Sequence, residues 1–217
     1  MEQAVGGDFA ALGALEFCAL RQFGLRDQDY VVDVGCGSGR LAKPLSLYLK
    51  GKYLGTDVVP ELVAYAAKLV QRRDWRFEVV EGIAIPEGDG VADLVCFFSV
   101  LTHLLHEESY VYLREARRVL KPGGTMVFSF LEFAAPGHWP VFEKSIESIG
   151  SNAPLSVFIG RDAIAAWAEH LGLAVEAIHG ADDKFIQLPE PITFANGTAL
   201  RERGSLGQSV CVLSKRG

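Results

Sequence analysis

The sequence lacks a long apolar run, an excess of positive charge and closely spaced cysteines. No stretch of its 217 residues contains the roughly 18 consecutive apolar residues that a membrane-spanning helix needs. The first residues do not form the basic segment of a signal peptide. We therefore expect a cytoplasmic protein with no membrane partner.

The charge balance argues against nucleic acid as a partner. The chain has 21 Lys and Arg residues against 27 Asp and Glu residues, which gives a formal net charge of −6 at pH 7. Binding to a polyanion depends on basic side chains that displace counterions, and an acidic protein is poorly suited to it. The sequence therefore predicts no nucleic-acid partner.

The spacing of the cysteines does not suit a metal site. Neither the cysteines nor the five histidines lie at the short intervals that zinc ligands need. We expect no metal, and reduced thiols in or near the core at Cys18, Cys36, Cys96 and Cys211.

The chain alternates helical and strand patterns without a linker or an internal repeat. Hydrophobic residues make up 49% of the sequence, which favours a sheet that is buried on both faces. Strands that alternate with helices predict a doubly wound α/β fold with right-handed crossovers. We expect one domain over residues 1–217.

Three glycines at alternate positions follow an apolar strand at residues 31–34: Gly35, Gly37 and Gly39. Glycine has no Cβ and tolerates positive φ, so bare main chain can approach a nucleoside at the carboxyl end of a strand. The dinucleotide fingerprint needs a glycine at position 40, where this chain has Arg40. This difference disfavours a dehydrogenase.

A second short strand, at residues 52–57, ends in Asp57. A helix from Ser38 to about Lys50 would connect the two strands and place them side by side. The Asp57 carboxylate can then accept two hydrogen bonds from a ribose diol. Enzymes that bind NAD share this feature, so it does not discriminate between cofactors.

Four ordered motifs together resemble those of the class I S-adenosylmethionine-dependent methyltransferases that act on small molecules. They are the D-x-G-x-G-x-G pattern of residues 33–39, the strand that ends at Asp57, the strand and loop of residues 92–104, and the helix, L-K-P-G-G turn and strand of residues 113–129. The resemblance covers residues 30–131.

The resemblance implies a seven-stranded Rossmann-like sheet of order 3-2-1-4-5-7-6 with strand 7 antiparallel, and S-adenosyl-L-methionine as the cofactor. Residues 8–131 would form the cofactor-binding core, in which Asp33 helps to hold the amino end of the cofactor. The positions carried over from the family pattern as cofactor-binding are Asp33, Gly35, Cys36, Gly37, Gly39, Asp57, Val58, Gly82, Ile83, Ala84, Phe98 and Ser99.

The sequence departs from the family pattern at Ile83. Many relatives carry a G-D-A triplet there, whose aspartate reaches the adenine amino group. Either Glu81 or Asp89 replaces that carboxylate, or backbone groups and apolar packing bind the adenine edge.

Two segments do not fit a minimal domain of this fold: residues 132–160 and residues 180–207. Long connections in compact domains are often lids or binding loops, so we expect them to cover the acceptor site. Their aromatic and apolar residues suit a small organic ligand, although they could equally pack the insertions themselves. These residues are His138, Trp139, Pro140 and Phe142 in the first segment, and Phe185, Ile186, Pro189 and Phe194 in the second.

The implied reaction is in-line methyl transfer to a small-molecule acceptor, which mainly requires alignment and exclusion of water. A hydroxyl acceptor also needs a base, and a neutral amine does not. The resemblance places His103 beside the transferred methyl group, which makes it the first candidate base. His138 is the second candidate. Either histidine could instead have a structural role.

Two other functions stay open at this point. One is a domain that binds the cofactor for regulation or partner binding without turnover, and the other is an NAD-dependent oxidoreductase. The sequence does not identify the acceptor, and it leaves open whether the protein is a monomer or a homodimer.

Overall fold

Helices and strands alternate along the part of the chain that the computed structural model describes, residues 7–151 and 156–217. The α-helices in these ranges are α1 (Phe9–Gln22), α2 (Ala42–Tyr48), α3 (Pro60–Val70), α4 (His106–Val119), α5 (Trp139–Glu147) and α6 (Arg161–His170). The strands are β1 (Val31–Val34), β2 (Tyr53–Asp57), β3 (Arg76–Val79), β4 (Ala92–Phe97), β5 (Leu120–Phe130), β6 (Leu173–His179), β7 (Ile186–Gln187), β8 (Ile192–Thr193), β9 (Ala199–Leu200), β10 (Arg203–Gly204) and β11 (Ser209–Lys215).

The main sheet contains seven of these strands in the order β3-β2-β1-β4-β5-β11-β6. Strands β3, β2, β1, β4 and β5 pair in parallel, whereas β11 is antiparallel to both β5 and β6. Since β11 is the seventh strand of this sheet along the chain, the predicted order 3-2-1-4-5-7-6 with strand 7 antiparallel is confirmed.

The central strands are buried on both faces because their side chains alternate between two apolar clusters. Val32 and Val34 of β1 lie in one cluster, together with residues of α4 and α6. Val31 lies in the other cluster, together with residues of α2 and α3. β4 divides in the same way, with Val95 in the first cluster and Cys96 in the second. Helices therefore cover both faces of the sheet, as its continuous apolar strands require.

The first crossover helix is shorter than the predicted Ser38–Lys50. α2 begins at Ala42, because residues 35–41 remain in the turn that follows β1. The amide N–H of Lys43 donates to the carbonyl of Gly39 at 2.9 Å, which joins this turn to the helix. The turn is therefore longer than the spacing of the glycines suggests.

The two predicted insertions contain short regular elements. Residues 132–160 include a 3-10 turn at Pro136–His138 and then α5, and residues 152–155 of this segment lie outside the described residues. Residues 180–207 form two antiparallel pairs, β7 with β10 and β8 with β9. These strands were not predicted, because two residues are too few to show the alternation of a strand.

The strand pairs of the second insertion pack on α1. Ile186 and Leu188 form a third apolar cluster with Leu15 and Ala19 of that helix. None of the helices in the described residues combines the length and apolar character that a bilayer span requires.

We expect Leu15→Ala to reduce the free energy of unfolding by about 2 to 5 kcal/mol, because it leaves a cavity between α1 and the strand pairs. Leu15 is fully buried, whereas Leu47 of α2 is 86% exposed and provides the matched control. Leu47→Ala should change the free energy by less than about 0.5 kcal/mol. Urea denaturation of both variants measures the difference. Equal effects would show that α1 does not depend on this cluster.

Candidate active site

A cavity of about 410 Å³ lies at the carboxyl ends of β1, β2 and β4. Ligands of open α/β sheets bind at this edge, near the point where the strand order reverses. Eight of the predicted cofactor-binding residues line the cavity: Asp33, Gly35, Cys36, Gly37, Asp57, Val58, Phe98 and Ser99. Gly39, Gly82, Ile83 and Ala84 are not among its lining residues.

The turn after β1 is fastened to β2 through its amide groups. The N–H groups of Gly35 and Cys36 both donate to the carbonyl of Thr56, at 2.8 and 2.9 Å. The N–H of Gly37 donates to Oδ2 of Asp57 at 2.9 Å. These three amides are therefore committed to the fold and are not available to bind a ligand.

Two positions of the turn need glycine for different structural reasons. Gly35 has φ +71°, and a Cβ at this position would lie 2.3 Å from Cγ2 of Val100, across the cavity wall. Gly39 has φ +89°, and a Cβ there would lie 3.1 Å from the Cβ of Ala66 in α3. Gly35 thus allows close approach at the cavity, whereas Gly39 allows close packing of the turn on a helix.

Asp57 is held in one orientation at the end of β2. Its Oδ2 accepts from Gly37, as described above, and its Oδ1 accepts from the N–H of Val59 at 3.0 Å. Each carboxylate oxygen has two lone pairs, so one on each oxygen remains for a ligand. This arrangement suits the two neighbouring hydroxyl groups of a ribose.

Thr56 has a buried hydroxyl without a partner near the cavity. The residue is fully buried and is among those that line the cavity, and its Oγ1 has no hydrogen-bond partner within the described residues. Buried polar groups are rarely left unpaired in folded proteins. Because the oxygen itself is inaccessible, it does not identify the ligand of the cavity.

Two buried acids form another part of the wall. Asp33 is 3% exposed, and its Oδ2 accepts from the hydroxyl of Tyr53 at 2.7 Å. Burial raises the pKa of Asp33 to about 7. Burial likewise raises the pKa of Glu16 in α1, although its ion pair with Arg40 acts in the opposite direction. Acids in this wall favour a ligand that carries positive charge.

Glu16 and Arg40 were not predicted as site residues. Both line the cavity, and the ion pair connects α1 to the turn after β1. One sequence signal was present, because Glu16 is the only charged residue between Phe9 and Leu20 of an otherwise apolar helix. A lone acid on a buried helix face indicates a specific partner or a ligand.

The lining of the cavity bears on the question raised by Ile83. It includes Val58, Leu62, Val80 and Tyr112. Ile83 instead packs against the core, and Asp89 forms an ion pair with Arg118 at 2.7 Å. Glu81 and Asp89 are both absent from the lining residues. Apolar packing is therefore the alternative that this geometry supports for an adenine ring.

A second cavity, of about 330 Å³, adjoins the first. The two share Glu16, Arg40, Phe98, Ser99 and His103. The remaining lining residues are apolar at Leu12, Leu131, Val141 and Leu206, polar at Thr102, Ser129, Ser156 and Gln208, and Gly7.

The predicted insertions contribute to this second cavity through other residues than expected. Val141 and Ser156 come from the first insertion and Leu206 from the second. The eight residues singled out in the sequence line neither cavity. Phe142 belongs to a group of aromatic rings with Phe133, and Phe185 packs near α1.

The two candidate histidines lie in different environments. His103 is exposed at the end of the 3-10 turn Leu101–His103 and borders both cavities. His138 is only 2% exposed and borders neither. Its Nδ1 accepts from the N–H of Glu132 at 3.0 Å, and its Nε2 donates to the carbonyl of Gly207 at 3.2 Å. The structure therefore brings His103 to the site and gives His138 a structural position.

Comparison with known proteins matches residues 32–128 to the family model of the methyltransferase domain. The alpha N-terminal protein methyltransferase 1 of Caenorhabditis elegans is 32% identical over 133 residues, which cover 56% of each chain. The ubiquinone biosynthesis O-methyltransferase of Bradyrhizobium diazoefficiens is 36% identical over 121 residues, which cover 54% of this chain and 44% of that protein. The chain thus spans about half the length of the curated relatives that it matches.

A solved structure shows the same fold over nearly the whole chain. A SAM-dependent methyltransferase of Methanosarcina mazei superimposes with a TM-score of 0.67 and 15% sequence identity, covering 91% of this chain and 97% of that one. At this level of identity the likeness supports the fold.

We expect Asp33→Asn to flatten the pH dependence of stability between pH 4 and 7. The folded pKa of Asp33, about 7, lies above the ordinary value of 3.8. Ionisation is therefore harder in the folded protein, and the wild type loses stability as the pH rises through this window.

Between pH 4 and 7 the free energy of unfolding of the wild type should fall by a few kcal/mol relative to that of Asp33→Asn, at about 1.4 kcal/mol for each unit of pKa shift. Urea denaturation of the ligand-free proteins at several pH values measures this difference. If the difference in unfolding free energy between the two proteins stays constant from pH 4 to 7, the raised pKa of Asp33 is contradicted.

Proposed function

We propose that this chain, a member of the class I S-adenosylmethionine-dependent methyltransferase superfamily, transfers a methyl group from S-adenosyl-L-methionine to a small-molecule acceptor. The family match confirms the superfamily predicted from the motifs and, with it, the cofactor. It also removes the support for an NAD-dependent oxidoreductase.

One contact carries the proposal, the hydrogen bond from Gly37 to Asp57. It holds a carboxylate at the cavity wall with lone pairs available for a ribose. Asp33 and Glu16 line the same cavity, and these acids suit the positive charges of the cofactor. When bound, S-adenosyl-L-methionine supplies a methyl group on a sulfonium, which is already a good leaving group.

The second cavity is our proposal for the acceptor site. It shares a wall with the cofactor cavity at Ser99 and His103, and its volume is at the lower end of the range for small-molecule sites. Its walls combine apolar and polar residues, so a small organic acceptor with both apolar and polar parts suits it. In this arrangement residues 132–160 contribute Val141 and Ser156 to the acceptor wall, residues 180–207 contribute Leu206, and residues 8–131 form the cofactor site.

Catalysis in this site depends mainly on placement. The two adjoining cavities hold the reacting groups in line and exclude water, which accounts for much of the acceleration available to such a reaction. His103 borders both cavities and can take a proton from a hydroxyl acceptor.

Calorimetric titration and a product assay test the proposal. We expect S-adenosylmethionine and S-adenosylhomocysteine to bind and NAD not to bind. Release of S-adenosylhomocysteine with a panel of small phenols, carboxylic acids and amines should exceed the release without an acceptor. Binding without turnover for any member would favour a regulatory domain, and no binding would contradict the proposed function.

We expect Asp57→Asn to weaken binding of S-adenosylhomocysteine by about ten- to a hundredfold, because hydrogen bonds to a charged group contribute roughly 1.5 to 3 kcal/mol. Asp27 is remote from both cavities and pairs with Lys50, so Asp27→Asn provides the matched control. Calorimetry of both variants measures the affinity. An unchanged dissociation constant in Asp57→Asn would rule out the ribose contact.

We expect His103→Gln to lower kcat for hydroxyl acceptors by about a hundredfold or more, the usual contribution of a general base. Turnover of neutral amines should change little, since they do not need a base. His170→Gln is the control, because His170 is exposed at the end of α6. Rates between pH 6 and 9 measure the effect. Intact turnover of hydroxyl acceptors across this range would exclude His103 as the base.

A further inference from the structure

A chain of hydrogen bonds joins three neighbouring strand ends at the wall of the second cavity. The N–H of Ser99, just after β4, donates to Oγ of Ser129 in β5 at 2.8 Å. The hydroxyl of Ser129 donates to Oε1 of Gln208, just before β11, at 2.6 Å. All three residues line the second cavity, and only Ser99 also lines the first.

Two serine hydroxyls orient the carboxamide of Gln208. The hydroxyl of Ser129 donates to Oε1 at 2.6 Å, and the hydroxyl of Ser99 donates to the same oxygen at 3.5 Å. The oxygen of Gln208 therefore points to Ser129, and its NH₂ group points the other way. Within the described residues this NH₂ group has no hydrogen-bond partner, and Gln208 is half-buried.

The backbone around Gln208 is held on both sides. The carbonyl of Gly207 accepts from Nε2 of His138 at 3.2 Å. The hydroxyl of Ser209 donates to Oε1 of Glu132 at 2.5 Å, and Arg161 binds both oxygens of that carboxylate at 2.7 and 2.8 Å. Gln208 is thus presented to the cavity by a rigid frame, as specific recognition requires.

Two other polar groups of the cavity are engaged by the protein. The hydroxyl of Thr102 donates to the carbonyl of Ser99 at 3.3 Å, and Arg40 forms its ion pair with Glu16. The wall also contains apolar side chains, at Leu12, Leu131, Val141 and Leu206. The NH₂ group of Gln208 is therefore a neutral hydrogen-bond donor in a wall of mixed polarity, next to the wall that the two cavities share.

We propose that Gln208 determines acceptor specificity by donating a hydrogen bond to an oxygen atom of the methyl acceptor. The acceptor class is then a small organic molecule that carries an ether, carbonyl or hydroxyl oxygen in addition to the methylated group. This inference rests on the proposed function, because it assigns the second cavity to the acceptor.

Pairs of probes that differ only in this oxygen test the inference. The methoxyphenols with the methoxy group at position 2 or 3 are compared with the ethylphenols of the same substitution, and the methoxyanilines with the ethylanilines. Each pair has closely similar shape, and only the methoxy member offers a hydrogen-bond acceptor. Binding is measured by calorimetry and ligand-observed NMR, with and without saturating S-adenosylhomocysteine.

For at least one pair we expect the wild type to bind the methoxy member about tenfold more tightly, the effect of one good hydrogen bond. Gln208→Leu should reduce this ratio to about one. Gln208→Glu keeps an oxygen for Ser129 but replaces the NH₂ group with a second acceptor, so it should abolish or reverse the preference. Gln187→Leu, at an exposed glutamine of β7, is the matched control and should keep the wild-type ratio.

Both Gln208 variants should bind S-adenosylhomocysteine as the wild type does, because Gln208 does not line the first cavity. Equal binding of the two members of every pair by the wild type, including no binding of either, overturns the inference. A preference that survives in Gln208→Leu and Gln208→Glu also overturns it. Failure to bind S-adenosylhomocysteine would instead contradict the proposed function, and the ratio measured without it still decides the role of Gln208.

Discussion

The geometry of the site depends on the attachment of the turn after β1 to the end of β2. Two amides of the turn share the carbonyl of Thr56, and a third orients the Asp57 carboxylate. These bonds form only when β1 and β2 lie side by side in parallel register. The same contacts that close the turn therefore position the Asp57 carboxylate. This part of the cavity wall forms together with the pairing of β1 and β2.

The sheet and the position of the cavity at its carboxyl edge could be predicted because their signals are local. An apolar strand, a glycine turn and an acidic strand end occupy short stretches of sequence, and the helix–turn–strand unit near residue 120 adds a fourth. The order of the strands follows from this resemblance, and the structure has the same order. Asp57 and Gly35 were predicted in this way, because each lies at the end of a strand, and both line the first cavity.

The second cavity could not be predicted in the same way, because residues that are distant in the sequence meet in its wall. Gln208 reaches Ser129 across a strand pair that joins residues about 80 positions apart, and Glu16 reaches Arg40 from a separate helix. Aromatic residues in the insertions gave a misleading signal, since they pack among themselves or on α1. His138 also gave a misleading signal, because histidine is a common catalytic base. Both of its ring nitrogens form hydrogen bonds with backbone groups instead.

The position of α1 has a consequence for divergence within this fold. One side of the helix places Leu12 and Glu16 in the cavity walls, while Leu15 and Ala19 receive the strand pairs of residues 180–207. The helix therefore connects the strand pairs of residues 180–207 to the walls of both cavities. Replacement of these strand pairs in a chimaeric protein would change the packing of α1 and, through Leu12 and Glu16, the shape of the cavities, even when every lining residue is retained.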